Sequence, residues 1–415
     1  MSRIRISKWI AAPLLLVAAT AFAADERYVK TLSGSVSYNS GPVTIEHRFG
    51  HINVHTTTGD QVTARATVRA SDEELGKRVV FSVTNEGNGV QIRTVFPPVH
   101  SHGEDISYSS DLDVSIPERA PLHLRSRFGS IEVNGLRAPA EITNGQGSIE
   151  IHDIRGGKIE NSFGSISIEG SGGETSVQNA NGAITVSDVR GSLSISNRFA
   201  SVSVQRIGGN LSISNSNGAV SAVDVKGPTS ISDSFASINA QNIGGPLSIA
   251  NANGNVTAIN VAGDLNVDTR FGLVRAERIR GNLVVDNANG GVTASDINGS
   301  ARVHTSFASV FLKGIDGSVD VENQNGAIGV SGLRGGCNEV SLRTSFSPIK
   351  IGLASNASYA VSARTTFGQI NTELPLTVTT KSINDNSSTL SGTIGNGGCK
   401  MDLVTMNGGI TIVKE

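Results

Sequence analysis

Gly191-Ser192-Leu193-Ser194-Ile195-Ser196-Asn197-Arg198-Phe199-Ala200-Ser201-Val202-Ser203-Val204-Gln205-Arg206-Ile207-Gly208 decides the fold. Leu193 and Ile195 face one way and the serines between them the other. Val202 and Val204 repeat the alternation after a short break. A period of two over short runs, interrupted by glycine, reads as strand and not helix. Eighteen residues later Gly209-Asn210-Leu211-Ser212-Ile213-Ser214-Asn215 restates the opening phrase.

The restatement extends both ways. Ten glycines from Gly173 to Gly335 fall 18 residues apart without a slip. Four residues after nine of them stands a β-branched residue, from Val177 and Ile195 to Val321. Eleven residues after stands another, from Ile184 and Val202 to Ile328. An 18-residue step is too short for a βαβ unit, a propeller blade or a helical repeat, and fits one turn of a parallel β-solenoid. Stacked coils pair backbone to backbone at about 4.8 Å, which aligns equal positions into ladders. The fold expected is therefore all-β: a right-handed parallel β-helix with 18-residue coils and an irregular β cap at the N-terminus.

Eight residues after the first nine of these glycines, Asn and Phe alternate: Asn181, Phe199, Asn217, Phe235, Asn253, Phe271, Asn289, Phe307, Asn325. The duplicated unit is thus 36 residues, or two coils. The sequence predicts that each Phe fills an interior corner and that Asn-Gly pairs form the tight corner of the other coils. Ala200, Ala236 and Ala308 follow some of the Phe residues, so that corner is not expected to need a positive φ. Two residues earlier runs a polar column that includes Asn161, Asn179, Asn197, Asn215, Asp233 and Asn251. It reads as an internal ladder that satisfies corner backbone groups, rather than as a binding stripe.

The division expected along the chain is a signal peptide over 1–23, an irregular β cap with the first coil over 24–115, a regular solenoid over 116–335, and looser coils with a cap over 336–415. Arg3, Arg5 and Lys8, the apolar run Ile10 to Ala19 and Ala21-Phe22-Ala23 make the secretory pattern. The run is too short to span a bilayer, and no Cys follows it to carry a lipid. Removing three basic residues takes the formal charge from −2 to −5, a balance that attracts neither nucleic acid nor anionic lipid. Within the cap, strands are expected over Val43 to Val54, Gln61 to Arg69, Val79 to Thr84 and Val90 to Val95, with a short helix at Ser71 to Arg78. Phe346, Phe367 and Asn407 mark later coils with longer corners, and strands near Lys400 to Val404 and Gly409 to Val413 close the far end. Roughly fifteen coils would make a rod of about 70 Å.

Several phrases resemble a known family. Phe49-Gly50-His51-Ile52-Asn53-Val54, then Gly59-Asp60-Gln61-Val62, Val114-Ser115-Ile116-Pro117 and Arg127-Phe128-Gly129-Ser130-Ile131 are similar to motifs of the bacterial β-strand-repeat family of adhesin-like proteins with undefined function. The resemblance covers most of the chain beyond residue 23. It implies a β-solenoid in an envelope or surface setting, and it brings no reaction and no catalytic residues.

Candidate chemistry is sparse. His47, His51 and His55 share a strand face but lie too far apart for one metal. His100 and His102, beside Glu104 and Asp105, read as a solvated loop rather than a metal site. Asp188, Asp224, Asp296 and Asp316 fall near one corner, mostly two or more coils apart, and no long inserted loop walls a groove around them. Ser194, Ser212, Ser230 and Ser248, with Ser196, Ser214 and Ser232 beside them, make a flat, weakly charged outward face. Cys337 and Cys399 count about three coils apart, beyond disulfide reach unless the C-terminal cap folds back. No catalytic, cofactor-binding or metal-ligating residue is assigned, and no cofactor. The expected function is a non-enzymatic, exported adhesin-like or scaffold protein of the periplasm or cell surface. It would be a monomer that binds an envelope protein or polysaccharide through a regular face. The alternatives are a self-assembling filament and a carbohydrate-active enzyme.

Overall fold

In the computed structural model, which describes residues 28–98, 107–334, 338–384 and 386–415, each 18-residue step is one flattened coil of two strands. In the coil quoted above these are Leu193–Phe199 and Val202–Ile207. Leu193 pairs in parallel with Thr175 on one side and Leu211 on the other, and Val202 pairs with Ile184 and Val220. The first strand of every coil therefore adds to one long sheet and the second to another. The two sheets face each other across a single continuous core that runs from Tyr38 to Ile412. Leu193, Ile195, Val202, Val204 and Ile207 are all within 2% of complete burial. Each such side chain contributes roughly 2–3 kcal/mol, and the stacking repeats that contribution at every level. The all-β solenoid expected from the 18-residue step is the fold observed. The sole described helix is the five-residue Glu73–Lys77, capped by Asp72 Oδ1, which accepts from Leu75 N at 2.8 Å.

Thirteen coils follow chain order, from Leu122–Asn134 to Val340–Leu353. The ends do not. Val43–Glu46 and Ile52–Thr57 form a coil that pairs directly with the coil of Leu122 and Ile131. On its other side this early coil pairs with Gly89–Val95 and Tyr108–Pro117, which form the outermost level. The far end mirrors the arrangement. Cys399–Thr405 and Ile410–Lys414 lie between the coil of Val340 and Ile349 and the coil of Tyr359 and Ile370. The last strands of the chain thus occupy the penultimate level rather than the terminal one expected. Seventeen levels result, a stack of roughly 75–80 Å.

Both exposed edges are turned off by antiparallel strands. Gln61–Ala70 and Tyr28–Ser37 extend the outer edge beside Tyr108–Pro117, and Val80–Glu86 extends it beside Gly89–Val95. Ser387–Ile394 and Leu376–Asn384 do the same beside Tyr359–Thr365. These strands take up the free backbone groups of the terminal coils, so another coil cannot add directly to those edges.

Candidate binding faces

Each coil turns at two corners, and the two are built differently. At the first, Asn197 is the last inward residue of its strand. It is 5% exposed, and its Nδ2 donates to the carbonyls of Gly182 (3.4 Å) and Ala200 (3.0 Å). Asn179 does the same to Gly164 and Gly182, and Asn251 to Ala236 and Gly254. The polar column is thus an internal ladder aimed at corner carbonyls, as read from the sequence. Its amides bond to backbone, not to each other.

The Phe residues of the same corner are not interior. Phe163, Phe199, Phe235, Phe271, Phe307, Phe346 and Phe367 are 47–65% exposed. Strict alternation would put residue 199 inward after 193, 195 and 197. The space between the sheets ends at the Asn197 amide, however, and the backbone turns at Ala200 with φ 101°, which swings the ring outside. Ala200 therefore takes the positive φ that its lack of glycine argued against, while Ala236 and Ala308 do not. At the N-terminal end the row closes differently. Phe128 stacks on Phe49 at 5.3 Å, and Phe49 meets Phe96 and Tyr108 edge-on at 5.2 and 5.1 Å.

The second corner lies at the end of the second strand. Eleven successive coils place a left-handed residue here, from Asp153 (φ 53°), Gly170 and Asp188 (φ 60°) through Arg206 and Asn242 (both φ 57°) to Gly314 and Gly332. It forms a bulge: Ser187 pairs with Gln205 and Val189 with Ile207, while Asp188 and Arg206 are skipped. The bulge lets Val189 and Ile207 turn back into the core. Nine of the eleven residues are Asp, Asn or Gly, the types that tolerate this φ. That recurrence inside an apparent strand was the signal available in the sequence.

Side chains of this column are zipped along the axis. Arg206 grips Asp188 with two 2.6 Å bonds, and its guanidinium holds that carboxyl below the usual carboxylate range. Asn242 donates to Asp224 and Asn260 to Asn242, each at 2.8 Å, and Arg278 donates to Asn260. Arg334 bridges Asp296 (3.4 Å) and Asp316 (2.9 Å). The structure brings the four carboxylates singled out in the sequence to this corner, each already partnered.

Between this column and the Gly-rich turn runs a groove of about 1680 Å³, from Leu136 to Arg334. Its lining carries eight Lys or Arg against four Asp, in a chain whose whole count is 34 against 36. Arg155, Arg190, Lys226 and Arg280 are exposed on it and enter no ion pair among the described residues. The first three stand on every second coil, about 9.6 Å apart.

The remaining candidates separate. His47 is buried, and its Nε2 donates to the Ser110 carbonyl at 2.5 Å; burial pushes its pKa below the ordinary value. His51 Nδ1 bonds Ser130 Oγ at 2.7 Å, and His55 is exposed. His100, His102, Glu104 and Asp105 lie outside the described residues, as does the segment 1–23. Ser194, Ser212, Ser230 and Ser248 stand exposed and in register on the first sheet. Cys399 is disulfide-bonded, and the only other cysteine of the chain is Cys337, which lies outside the described residues. The expectation of no bond fails because the strand after Cys399 inserts directly against the strand that begins at Val340. Among the described residues, no helix is long and apolar enough to cross a membrane.

These features define a class: a capped, two-sheet parallel β-solenoid whose exposed corners repeat along an axis. The chain belongs to the Toastrack DUF4097 family, which matches residues 196–413. None of the curated proteins matches it. Among solved structures, the crystal structure of "a putative cell adhesion protein" from Clostridium sporogenes aligns with 94% of this chain and 100% of its own. The identity is 8% and the TM-score 0.19, and at that score the likeness decides nothing about this chain.

Proposed function

We propose that the protein is a non-enzymatic adhesion or scaffold module of the bacterial cell envelope, exported by its first 23 residues to the periplasm or cell surface, and that it holds an acidic polysaccharide along the groove. The observation that carries the reading is the row of cations at Arg155, Arg190 and Lys226, which enter no ion pair among the described residues. Their spacing of about 9.6 Å suits a polymer that presents one anionic group per two sugar units. Cations in a concave, partly desolvated channel attract such a chain more strongly than the same charges on a flat face.

The same corner speaks against catalysis. A glycosidase needs a carboxyl kept protonated near neutral pH opposite a second carboxylate. Asp188, Asp224, Asp296 and Asp316 each meet a cation or amide, and the Arg206 guanidinium lowers the Asp188 pKa, the opposite of what a catalytic acid needs.

The test is retention of the full-length secreted chain on immobilised hyaluronate, which carries one carboxylate per two sugars, with neutral dextran as control. Binding to the first alone, weakening steadily with salt, is expected. The triple variant Arg155→Ser, Arg190→Ser, Lys226→Ser should lose at least tenfold in affinity. Equal retention on dextran, or an unchanged variant, would remove the groove from the function.

A further inference from the structure

The exposed phenylalanines form a row whose regularity is a property of the surface rather than of the chain. Within the 36-residue repeats, duplication alone would make Phe and Asn alternate. Beyond Gly335 that explanation stops. In chain order the corner residues run Phe346, Phe367, Asn407, two phenylalanines in succession. In the stack, Asn407 N donates to the Ser345 carbonyl at 2.8 Å, as Asn217 N does to Arg198, and Phe367 N donates to Met406. Asn407 therefore lies between Phe346 and Phe367. The alternation is restored across a strand insertion that no duplication of 36 residues could have copied.

We propose that this corner is a self-pairing surface on which a second copy of the chain docks, making a two-fold dimer of rods. The proposal does not rest on the groove, which lies at the opposite corner, and it replaces the monomer expected from the sequence. Three features favour a second copy as the occupant. The row repeats every two levels, about 9.6 Å, so a partner shifted by one level sets its rings over the Asn amides and receives the other copy's rings over its own. Ring and amide then alternate across the seam, an arrangement that suits both. The surface is complementary to itself, as an isologous contact requires. The area is also sufficient: seven rings, each about half exposed, present roughly 700 Å² on one rod and roughly 1,400 Å² over a pair, within the range of stable interfaces. Leu273 and Met406, both more than half exposed, flank the row and extend it.

The test is sedimentation equilibrium of the full secreted chain up to roughly 100 µM, beside the variant Phe199→Ser, Phe235→Ser, Phe271→Ser. The substituted rings are outside the core, so the far-ultraviolet spectrum should not change. A wild-type dimer whose dissociation constant rises at least 100-fold in the variant is the result expected. The variant Ser194→Asp, Ser212→Asp, Ser230→Asp, on the flat serine face, should dimerise as the wild type does. A wild-type chain that stays monomeric overturns the proposal, as does a dimer indifferent to the Phe changes. A monomer retained on cellulose or chitin fibres only while the rings are present would also overturn it, and would assign the row to a neutral glycan.

Discussion

A buried polar column is a demanding feature, because each member must find partners in a dry corner. Asn179 meets that demand on its donor side, where Nδ2 reaches Gly164 at 2.9 Å and Gly182 at 3.1 Å, while its Oδ1 is buried with no partner among the described residues. Thr replaces Asn at some levels and serves a similar end: Thr305 Oγ1 donates to Gly290 at 3.0 Å and Thr365 Oγ1 to Gly408 at 2.8 Å. Asn179→Leu, similar in volume, should therefore cost about 2–4 kcal/mol, because two carbonyls lose their donors. Asn179→Thr should cost roughly 1 kcal/mol or less, since one donation survives. Faster amide exchange in the coils on either side of residue 179, for Leu but not for Thr, is the expected readout; equal protection in both would count against the ladder's role. This column was legible in the sequence because it keeps its residue class. The direction of Phe199 was not, because alternation by two holds only while the chain runs straight. The corner breaks that parity two residues after Asn197.

The strand that ends each coil depends on one left-handed residue to re-aim the next side chain inward. At Asn242 the φ is 57° and the side chain links Asp224 to Asn260. Asn242→Gly removes those bonds but keeps the backbone, and should cost well under 1 kcal/mol given that the links are exposed. Asn242→Val retains bulk but places a β-branched side chain at a φ it avoids, at about 1–2 kcal/mol beyond the lost links. A thermal midpoint clearly lower for Val than for Gly would confirm that the bulge, not the zipper, sets the cost; the reverse order would refute it. Arg206 and Arg278 occupy the same conformation without the tolerance of Asn. Their bonds to Asp188 and Asn260 offset that strain. At this scale the coil itself was readable from spacing alone. The groove was not, because it arises where the bulge and the Gly-rich turn meet in space, and the sequence shows the two only as separate columns.

For the molecule as a whole, the order of levels and the order of the chain part company at both ends. Periodicity counts along the chain, so the 18-residue step could follow the levels only as far as that of Val319, and no such step could show where the chain skips a level and returns. The skip lies between the coil of Val340 and that of Tyr359, where Cys399–Thr405 later inserts. It follows that the final residues are structural inside the stack, one level short of its tip. Removing 399–415 should do more than shorten the rod. It takes away the level on which both Val340–Leu353 and Tyr359–Thr372 are paired, and with it the bond at Cys399, whose loop of about 60 residues is worth roughly 4 kcal/mol. Limited proteolysis of the truncated chain should cut back to the neighbourhood of residue 340, while the coils before Ser331 stay resistant. The alternative is that the coil of Tyr359 settles directly onto that of Val340 and remains protected. That restacking would set Phe367 over Phe346 with no Asn between them, and a protected fragment reaching past residue 359 would show that the alternation is dispensable at this end.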